Sequence, residues 1–254
     1  MLKILNKSLA YLYCIPALSC LGLSINPLEN LLIQFKSAQL WHENIPLKLH
    51  LGCGECRLPG YINIDYPPSQ HTVQQTSAAD IFANIITLQY PDQTIDEIRS
   101  HHVFEHFDRQ TALGLLCNWH QALKIGGTLV IETPDFEESA RLILLDPSLS
   151  YKEKQAILRH IFGSHEADWA IHCDGWYKEK FLRVLSLFEF EEIVFTHSRY
   201  LNLCNITVTA KKTNPLSKEA LLNKAKLILQ ESLVADCETK MYQVWVEQLC
   251  IICN

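Results

Sequence analysis

The stretch from Leu47 to Asp65 constrains the fold more than any other part of this 254-residue chain. It begins with an apolar run, Leu47–Leu51, that is typical of a buried strand, and Gly52-Cys53-Gly54 follows directly. A second run, Tyr61–Ile64, predicts another strand and ends in Asp65. Ligands of open α/β sheets bind in the crevice outside the carboxyl ends of the strands. The stretch therefore predicts two neighbouring parallel strands with a ligand site where both end.

The residue types at these strand ends suggest which ligand would fit. Glycines let a backbone approach a ligand without a Cβ in the way, and the Asp65 carboxylate can accept hydrogen bonds from two ribose hydroxyls. A Gly-x-Gly pair alone is a weak signal, and a loop that merely turns is the structural alternative. Arg57 stands where a dinucleotide fingerprint needs its third glycine, which disfavours a nicotinamide-dependent oxidoreductase.

Three further motifs follow in order along the chain, namely Ile95-Asp96-Glu97-Ile98, His102-Val103-Phe104-Glu105-His106 and Leu123-Lys124-Ile125-Gly126-Gly127-Thr128-Leu129-Val130-Ile131. Together with the glycine stretch they resemble the class I S-adenosylmethionine (SAM)-dependent methyltransferases, and most closely the methyltransferase type 11-like bacterial group. The resemblance covers roughly residues 47–211 and says little about the substrate.

The resemblance implies a fold and a cofactor. The fold is α/β, a Rossmann-like, doubly wound, mostly parallel seven-stranded sheet with one antiparallel strand, Ile206–Ala210, and with N- and C-terminal helical extensions. The cofactor is SAM. Asp80 would meet the adenine amino group and Ile81 would back the ring, although an exposed loop aspartate is the alternative. The implied cofactor-binding residues are Leu51, Gly52, Cys53, Gly54, Asp65, Tyr66, Asp80, Ile81, His102 and Val103.

One departure concerns the link between the first two strands. Only nine residues run from Gly52 to Gly60, whereas a parallel crossover normally needs a dozen or more. Either the usual first helix is reduced to about one turn, or the second strand lies elsewhere. The look-alike group shares this short link and its Pro59-Gly60, so we keep Asp65 as the ribose ligand.

Candidate catalytic groups are Glu105, His106 and His172. The first two follow the predicted strand Ile95–His101, at the ligand end of the sheet, and a histidine there can act as a general base near neutral pH. His172 lies in a segment, residues 163–176, that is rich in histidine, acids and tryptophan and predicts a lid over an acceptor. The alternatives are structural. Glu105 could cap the backbone amides of the next helix, His106 could hold a loop in place, and residues 163–176 could be a polar loop whose tryptophans pack against the domain.

No metal site is expected from the sequence. His165, Asp168 and His172 match no strong ligand spacing. A four-thiolate zinc site would need the pairs Cys53/Cys56 and Cys250/Cys253 to meet in space.

We divide the chain into an N-terminal helical segment (1–46), a methyltransferase domain (47–213) and a C-terminal helical extension (214–254). The apolar stretch Ser8–Ile25 contains Pro16, and signal or membrane attachment is the alternative to a packed helix. The terminal helices could pack on the domain, touch a membrane peripherally or form a homodimer, and the C-terminal helices could also pack on the Ser8–Gln39 region. The predicted helices are Asn26–Gln39, Arg109–Leu123 ended by Gly126-Gly127, Glu137–Leu145, Lys152–His160, Lys178–Phe188, Leu216–Glu231 and Glu238–Ile252, and a polar linker, Ser198–Asn205, joins the last two strands.

Charge and cysteine usage bear on function. The formal net charge is −6 and no Lys/Arg-rich run occurs, so a nucleic acid partner is not expected. Ten cysteines scattered singly through apolar segments are typical of a reducing, cytoplasmic compartment. The leading hypothesis is methyl transfer from SAM to a small molecule, such as a sugar or nucleotide-sugar hydroxyl. The alternatives are a methyltransferase for protein or lipid, or a non-catalytic SAM-binding or assembly protein, since His50 replaces the acidic residue of many superfamily members.

Overall fold

A computed structural model of the protein describes residues 15–16, 23–24, 30–70, 73–74 and 76–253. The strands of this part are β1 (Ile15–Pro16), β2 (Leu23–Ser24), β3 (Lys48–Leu51), β4 (Cys56–Arg57), β5 (Ile62–Asp65), β6 (Ile81–Phe82), β7 (Ile95–His101), β8 (Leu123–Pro134), β9 (Phe190–Tyr200) and β10 (Leu203–Lys212). The helices are α1 (Leu31–Ser37), α2 (Arg109–Ala122), α3 (Phe136–Leu145), α4 (Tyr151–Phe162), α5 (Lys178–Leu187), α6 (Lys218–Glu231) and α7 (Thr239–Cys253).

The main sheet has the strand order β2-β6-β5-β3-β7-β8-β10-β9. Neighbouring strands in this sheet pair in parallel except at β10, which is antiparallel to both β8 and β9. This order confirms the predicted Rossmann-like, seven-stranded sheet with one antiparallel strand, and the two-residue β2 extends one edge. The central strand is β3, in which Leu49 pairs with Ile62 on one side and Ile98 on the other.

The short link after β3 contains no helix, not even the single turn that we expected. Residues 52–61 form turns around the two-residue β4. Backbone N–H groups of Gly52 and Cys53 both donate to the carbonyl of Ile64, at 2.8 and 3.2 Å. These bonds turn the chain back beside β5, so the second strand ends at Asp65 as predicted.

Several predicted element boundaries need correction. Helix α2 starts after the Asp108 cap as expected but ends at Ala122, and Gly126 and Gly127 lie within β8. The predicted linker Ser198–Asn205 is mostly strand, because β9 and β10 are joined by a two-residue turn. Long β pairing satisfies backbone groups that a polar linker would leave to water.

At the N-terminal end, α1 begins at Leu31 with Asn30 as its cap, while Asn26–Glu29, the predicted helix start, lies outside the described residues. The four described residues of the stretch 8–25 lie in β1 and β2 rather than in a helix. Among the helices that the structure describes, none is both long and apolar enough to cross a bilayer.

The C-terminal helices α6 and α7 pack on α2 of the same chain. Gly114 is the point of closest approach, since a Cβ there would lie 2.6 Å from the Ile252 side chain. Asn118 Nδ2 donates to the Ile252 carbonyl at 3.1 Å, and the Arg109 guanidinium lies 4.7 Å from the centre of the Trp245 ring. Of the packing arrangements that the sequence left open, contact with the domain is the one observed.

Candidate functional site

A cavity of about 350 Å³ opens at the carboxyl ends of β3, β5 and β7. Seven of its lining residues were predicted as site residues from the sequence, six as cofactor ligands and His106 as a catalytic group. Its lining consists of Gly52, Gly54, Asp65, Tyr66, Gln74, Ala83, Ile85, Ile86, His102, Val103, His106, Phe107 and Trp169. Its position is the crevice in which open α/β sheets bind their ligands.

The glycine loop brings backbone close to this cavity. Gly52 has φ +69° and Gly54 has φ +56°, a region that favours glycine. A Cβ on Gly52 would lie 2.1 Å from Val103 Cγ2, so the loop and the end of β7 approach each other only because no side chain intervenes. Glycine is therefore required at position 52 by both its backbone angle and its neighbour.

Asp65 ties this loop to the end of β5. One carboxylate oxygen accepts the Gly54 backbone N–H at 2.5 Å, and the other accepts the Tyr66 backbone N–H at 2.7 Å. The residue is only 8% exposed, yet it lines the cavity. The carboxylate is thus fixed in orientation at the cavity, and a carboxylate can accept hydrogen bonds from hydroxyl groups of a ligand.

Four predicted cofactor residues do not line the cavity. Leu51 is buried in the core, and Cys53 packs against Ala78 and Ala79. Asp80 precedes β6 and pairs with Arg57 at 2.6 Å, while also accepting the Asn63 backbone N–H at 2.9 Å.

Ile81, inside β6, is buried as well. The adenine role that the resemblance gives to Asp80 and Ile81 stays a prediction, although neither residue lines this cavity. The residues that follow β6 in the cavity are Ala83, Ile85 and Ile86. Little in the sequence indicated that these residues line a cavity, because an apolar pair such as Ile85-Ile86 is equally typical of a segment buried in the core.

His102 follows β7 with a left-handed backbone, φ +53°. Its Nδ1 lies 3.4 Å from Glu105 Oε1 and its Nε2 lies 3.3 Å from Glu132 Oε1. Burial disfavours the charged ring, but the two buried carboxylates outweigh it and raise the pKa of His102 to about 10. His102 therefore carries a positive charge at neutral pH, and sequence reasoning missed its partner Glu132, which lies 30 residues away on β8.

The predicted catalytic residues Glu105, His106 and His172 come together. Their potential ligand atoms all lie within 4.8 Å of one another, and the rings of His106 and His172 are in edge-to-face contact with centres 4.6 Å apart. Glu105 is 2% exposed and its carboxylate oxygens accept no hydrogen bond from the described residues. Burial lowers the pKa of His172, which favours the neutral ring.

A second cavity, of about 430 Å³, lies beside the first. His102, His106 and Trp169 line both cavities, and His172 lines only the second. The polar lining of the second cavity further includes Glu105, Arg159, His160, Ser164 and Glu166.

The segment from residue 163 to 176 forms one wall of this second cavity, as the predicted lid would. Trp169 Nε1 donates to the Gln70 carbonyl at 3.1 Å, so the segment reaches across to the loop after β5. The backbone N–H of Cys173 donates to the Glu105 carbonyl at 2.8 Å, which fastens the other end of the segment beside the cluster.

Neither metal-ligand set considered from the sequence forms among the described residues. His165 Nε2 is hydrogen-bonded to the Phe162 carbonyl at 2.8 Å, and neither His165 nor Asp168 joins His172 in a potential ligand group. The pairs Cys53/Cys56 and Cys250/Cys253 likewise form no such group.

Comparison with known families agrees with this geometry. The type 11 methyltransferase family model, described as "Methyltransferase domain", matches residues 49–131. The match confirms the resemblance to class I SAM-dependent methyltransferases over that segment, and with it SAM as the cofactor. The segment contains the glycine loop, Asp65 and the cluster residues Glu105 and His106. No curated protein matches the chain significantly.

Solved structures of similar fold include a SAM-dependent methyltransferase from Archaeoglobus fulgidus, with 14% identity, a TM-score of 0.44 and coverage of 71% of this chain and 92% of that one. Human N-acetylserotonin methyltransferase in complex with SAM has 15% identity and a TM-score of 0.41, over 72% of this chain and 52% of that one. A putative O-methyltransferase from Nostoc punctiforme has 15% identity and a TM-score of 0.42, over 70% and 55%. Similarities at these levels carry no information about the acceptor of this chain.

Proposed function

Because residues 49–131 carry a SAM-dependent methyltransferase domain, we propose that the chain transfers the methyl group of SAM to a hydroxyl of a small molecule, a sugar or a nucleotide sugar. The observation that supports this is the pair of adjoining cavities that share His102, His106 and Trp169. Methyl transfer needs two ligands held side by side, and this arrangement offers a place for each.

The first cavity suits the cofactor. The glycine loop leaves room for a ligand at its backbone, Asp65 presents a fixed carboxylate for the ribose hydroxyls, and Ile85 and Ile86 offer an apolar surface for a flat ring. When bound, SAM supplies a methyl group that is already activated by its sulfonium. The protein's own contribution is then mainly to position the acceptor and to exclude water.

The second cavity suits a small polar acceptor. Its volume of about 430 Å³ is within the usual range for small-molecule sites. Ser164 and Glu166 can exchange hydrogen bonds with sugar hydroxyls, and Trp169 provides a ring face. Arg159, at the same cavity, has the guanidinium geometry that binds phosphate groups, which favours a nucleotide sugar.

Proton removal from the acceptor is assigned to the cluster of Glu105, His106 and His172. His102 is already protonated at neutral pH and cannot accept a further proton. The Nδ1 of His172 faces the Ile161 carbonyl at 3.1 Å, so Nδ1 carries the hydrogen and Nε2 keeps its lone pair. The cluster thus holds a basic nitrogen beside the cavity in which the acceptor would lie.

The test is a methyl-transfer assay with free sugars and with nucleotide sugars as acceptors, in which the release of S-adenosylhomocysteine is measured. We expect turnover with at least one of them, and a loss of at least 100-fold in kcat for His172→Gln. His165→Gln is the matched control, because His165 lies in the same segment but outside the cluster, and it should retain full activity.

Tight SAM binding without turnover on any small acceptor would contradict the proposal. It would favour a macromolecular acceptor or the non-catalytic role. The replacement of an acidic residue by His50 does not favour that role by itself, because His50 is buried and its Nδ1 is hydrogen-bonded to Asn63 Oδ1 at 3.0 Å. It is an internal structural contact of β3 and β5.

A further inference from the structure

We infer that Glu105, His106 and His172 bind one divalent transition-metal ion at the boundary between the two cavities. One carboxylate and two imidazoles come from two separate segments, the end of β7 and residues 163–176, and meet around one point. The ion's role in catalysis rests on the proposed function, whereas its binding does not.

The distances suit a metal ion after small side-chain movements. The three potential ligand atoms lie within 4.8 Å of one another. Ligand atoms on a tetrahedral zinc ion are about 3.4 Å apart, given metal–ligand bonds of about 2.1 Å. Rotations that bring each donor inward by less than about 1 Å close the remaining gap, and the donors already surround a common point.

His172 is oriented as a metal ligand. Metal-binding histidines usually donate their second ring N–H to a backbone carbonyl or a carboxylate, which fixes the tautomer and the ring. The His172 Nδ1 makes this contact with the Ile161 carbonyl at 3.1 Å. The ring is thereby held with an unprotonated Nε2 that can bind a metal ion.

Glu105 and His106 lack the partners that buried polar groups normally have. Neither carboxylate oxygen of Glu105 accepts a hydrogen bond within the described chain, and the buried Nδ1 of His106 has none either. Glu105 Oε1 forms an ion pair with His102 Nδ1 at 3.4 Å, so Glu105 Oε2 and His106 Nδ1 are the atoms without a partner among the described residues. Leaving such atoms unpaired is costly, and groups of this kind call for an explanation. A cation between them would supply the missing interaction.

The donor set indicates the type of ion. Two imidazole nitrogens with one carboxylate oxygen suit zinc, nickel, cobalt or iron rather than magnesium or calcium, which prefer oxygen ligands alone. Three protein ligands leave at least one coordination position open, as in catalytic rather than structural sites. All three proposed ligands line the second cavity, so we expect the open position on the side of the space assigned to the acceptor.

An ion at this position would explain how an ordinary hydroxyl becomes reactive. A hydroxyl oxygen bound to a divalent cation loses its proton more readily. With the ion bound, His172 Nε2 is a ligand and no longer the base, so the proton would pass to solvent through the second cavity. The oxygen then forms a bond to the methyl carbon as the bond from that carbon to sulfur breaks. The products are a methyl ether and S-adenosylhomocysteine, and the ion is unchanged.

The experiment is a calorimetric titration of the metal-stripped full chain with Zn²⁺, repeated with Mg²⁺ and without SAM. We expect one Zn²⁺ per chain and at least 100-fold weaker binding of Mg²⁺. Addition of Co²⁺ should give visible absorption bands typical of a low-coordinate site with nitrogen ligands. Both readouts are independent of activity, so a failure of the methyl-transfer assay would not affect them.

Variants identify the ligands. Glu105→Gln and His172→Ala should each weaken Zn²⁺ binding at least tenfold, whereas His165→Ala should leave it unchanged. SAM binding by His172→Ala reports that this variant is folded, because His172 does not line the first cavity. The inference is overturned if the folded wild type binds no Zn²⁺ at micromolar concentrations, or if binding survives in His172→Ala. It is equally overturned if His165→Ala loses binding as strongly as the cluster variants.

Discussion

The contact between Gly52 and Val103 predicts how the cofactor cavity depends on one missing side chain. In Gly52→Ala, two costs combine. A non-glycine residue at φ +69° costs about 1–2 kcal/mol. The new Cβ would also lie 2.1 Å from Val103 Cγ2, well inside the roughly 3.5–4.0 Å of a normal carbon contact, so Val103 must move by more than about 1 Å. Overpacking of this kind costs about 1–3 kcal/mol.

Gly60→Ala separates the two costs. Gly60 has φ +80°, but no atom lies within 4 Å of a Cβ built there. It should therefore show only the backbone cost, and Gly52→Ala should be less stable than Gly60→Ala by about 1–3 kcal/mol. Urea unfolding of both variants at equal slope gives this difference directly.

A third variant tests whether Val103 is the cause. Adding Val103→Ala to Gly52→Ala removes both γ carbons and leaves a Cβ to Cβ distance of 3.1 Å, so it should recover part of the lost stability. Because Val103 lines the cofactor cavity, Gly52→Ala should also weaken SAM binding while Gly60→Ala should not. Equal losses in Gly52→Ala and Gly60→Ala, or no recovery in the double variant, would refute the reasoning.

Two further predictions concern stability away from the site. Burial first, and then Lys212 and Lys224, lower the pKa of His120 to about 3, so the unfolded chain takes up a proton below about pH 6.5 that the folded chain does not. Between pH 7 and pH 5, the free energy of unfolding should therefore fall by about 2 kcal/mol less in His120→Leu than in wild type, as measured by urea unfolding. An unchanged pH dependence would contradict this. Gly114→Val should push α7 away through its contact with Ile252, which raises amide exchange in α7 and lowers the free energy of unfolding by about 1–3 kcal/mol. Adding Ile252→Ala to this variant should restore protection, and equal exchange in all three proteins would argue against the contact.

The parts of the fold that the sequence predicted well are those in which local pattern and tertiary context agree. Helix α2 begins where the Asp108 cap and apolar spacing place it, and the antiparallel β10 includes the predicted Ile206–Ala210. The boundary at Gly126-Gly127 was wrong because a glycine pair is typical of a helix end, yet here it lies at the start of a long strand. Pairing with β7 from Ile95 onward decides that boundary, and pairing is not visible in local sequence.

The candidate site shows the same division. Gly52, Gly54 and Asp65 could be identified because their backbone and charge requirements are local to one short stretch. The role of Asp80 stays a prediction, because local sequence does not show that its side chain pairs with Arg57 and is absent from the cavity lining. His172 could be suspected from composition alone, but only the path of residues 163–176 brings it to Glu105.

The most direct test of the account is a calorimetric titration of the full chain with SAM, in wild type, Asp65→Ala and Asp80→Asn. Asp65 lines the cavity and Asp80 does not, although Asp65 ends β5, Asp80 directly precedes the neighbouring β6, and both are little exposed. We predict micromolar binding of SAM that weakens tenfold or more in Asp65→Ala and is unchanged in Asp80→Asn. The loss in Asp65→Ala comes from the ribose hydroxyls that are left without a partner, which costs about 1–3 kcal/mol of binding free energy. Binding that survives in Asp65→Ala but is lost in folded Asp80→Asn, or no binding of SAM by the folded wild type, would contradict the placement of the cofactor site.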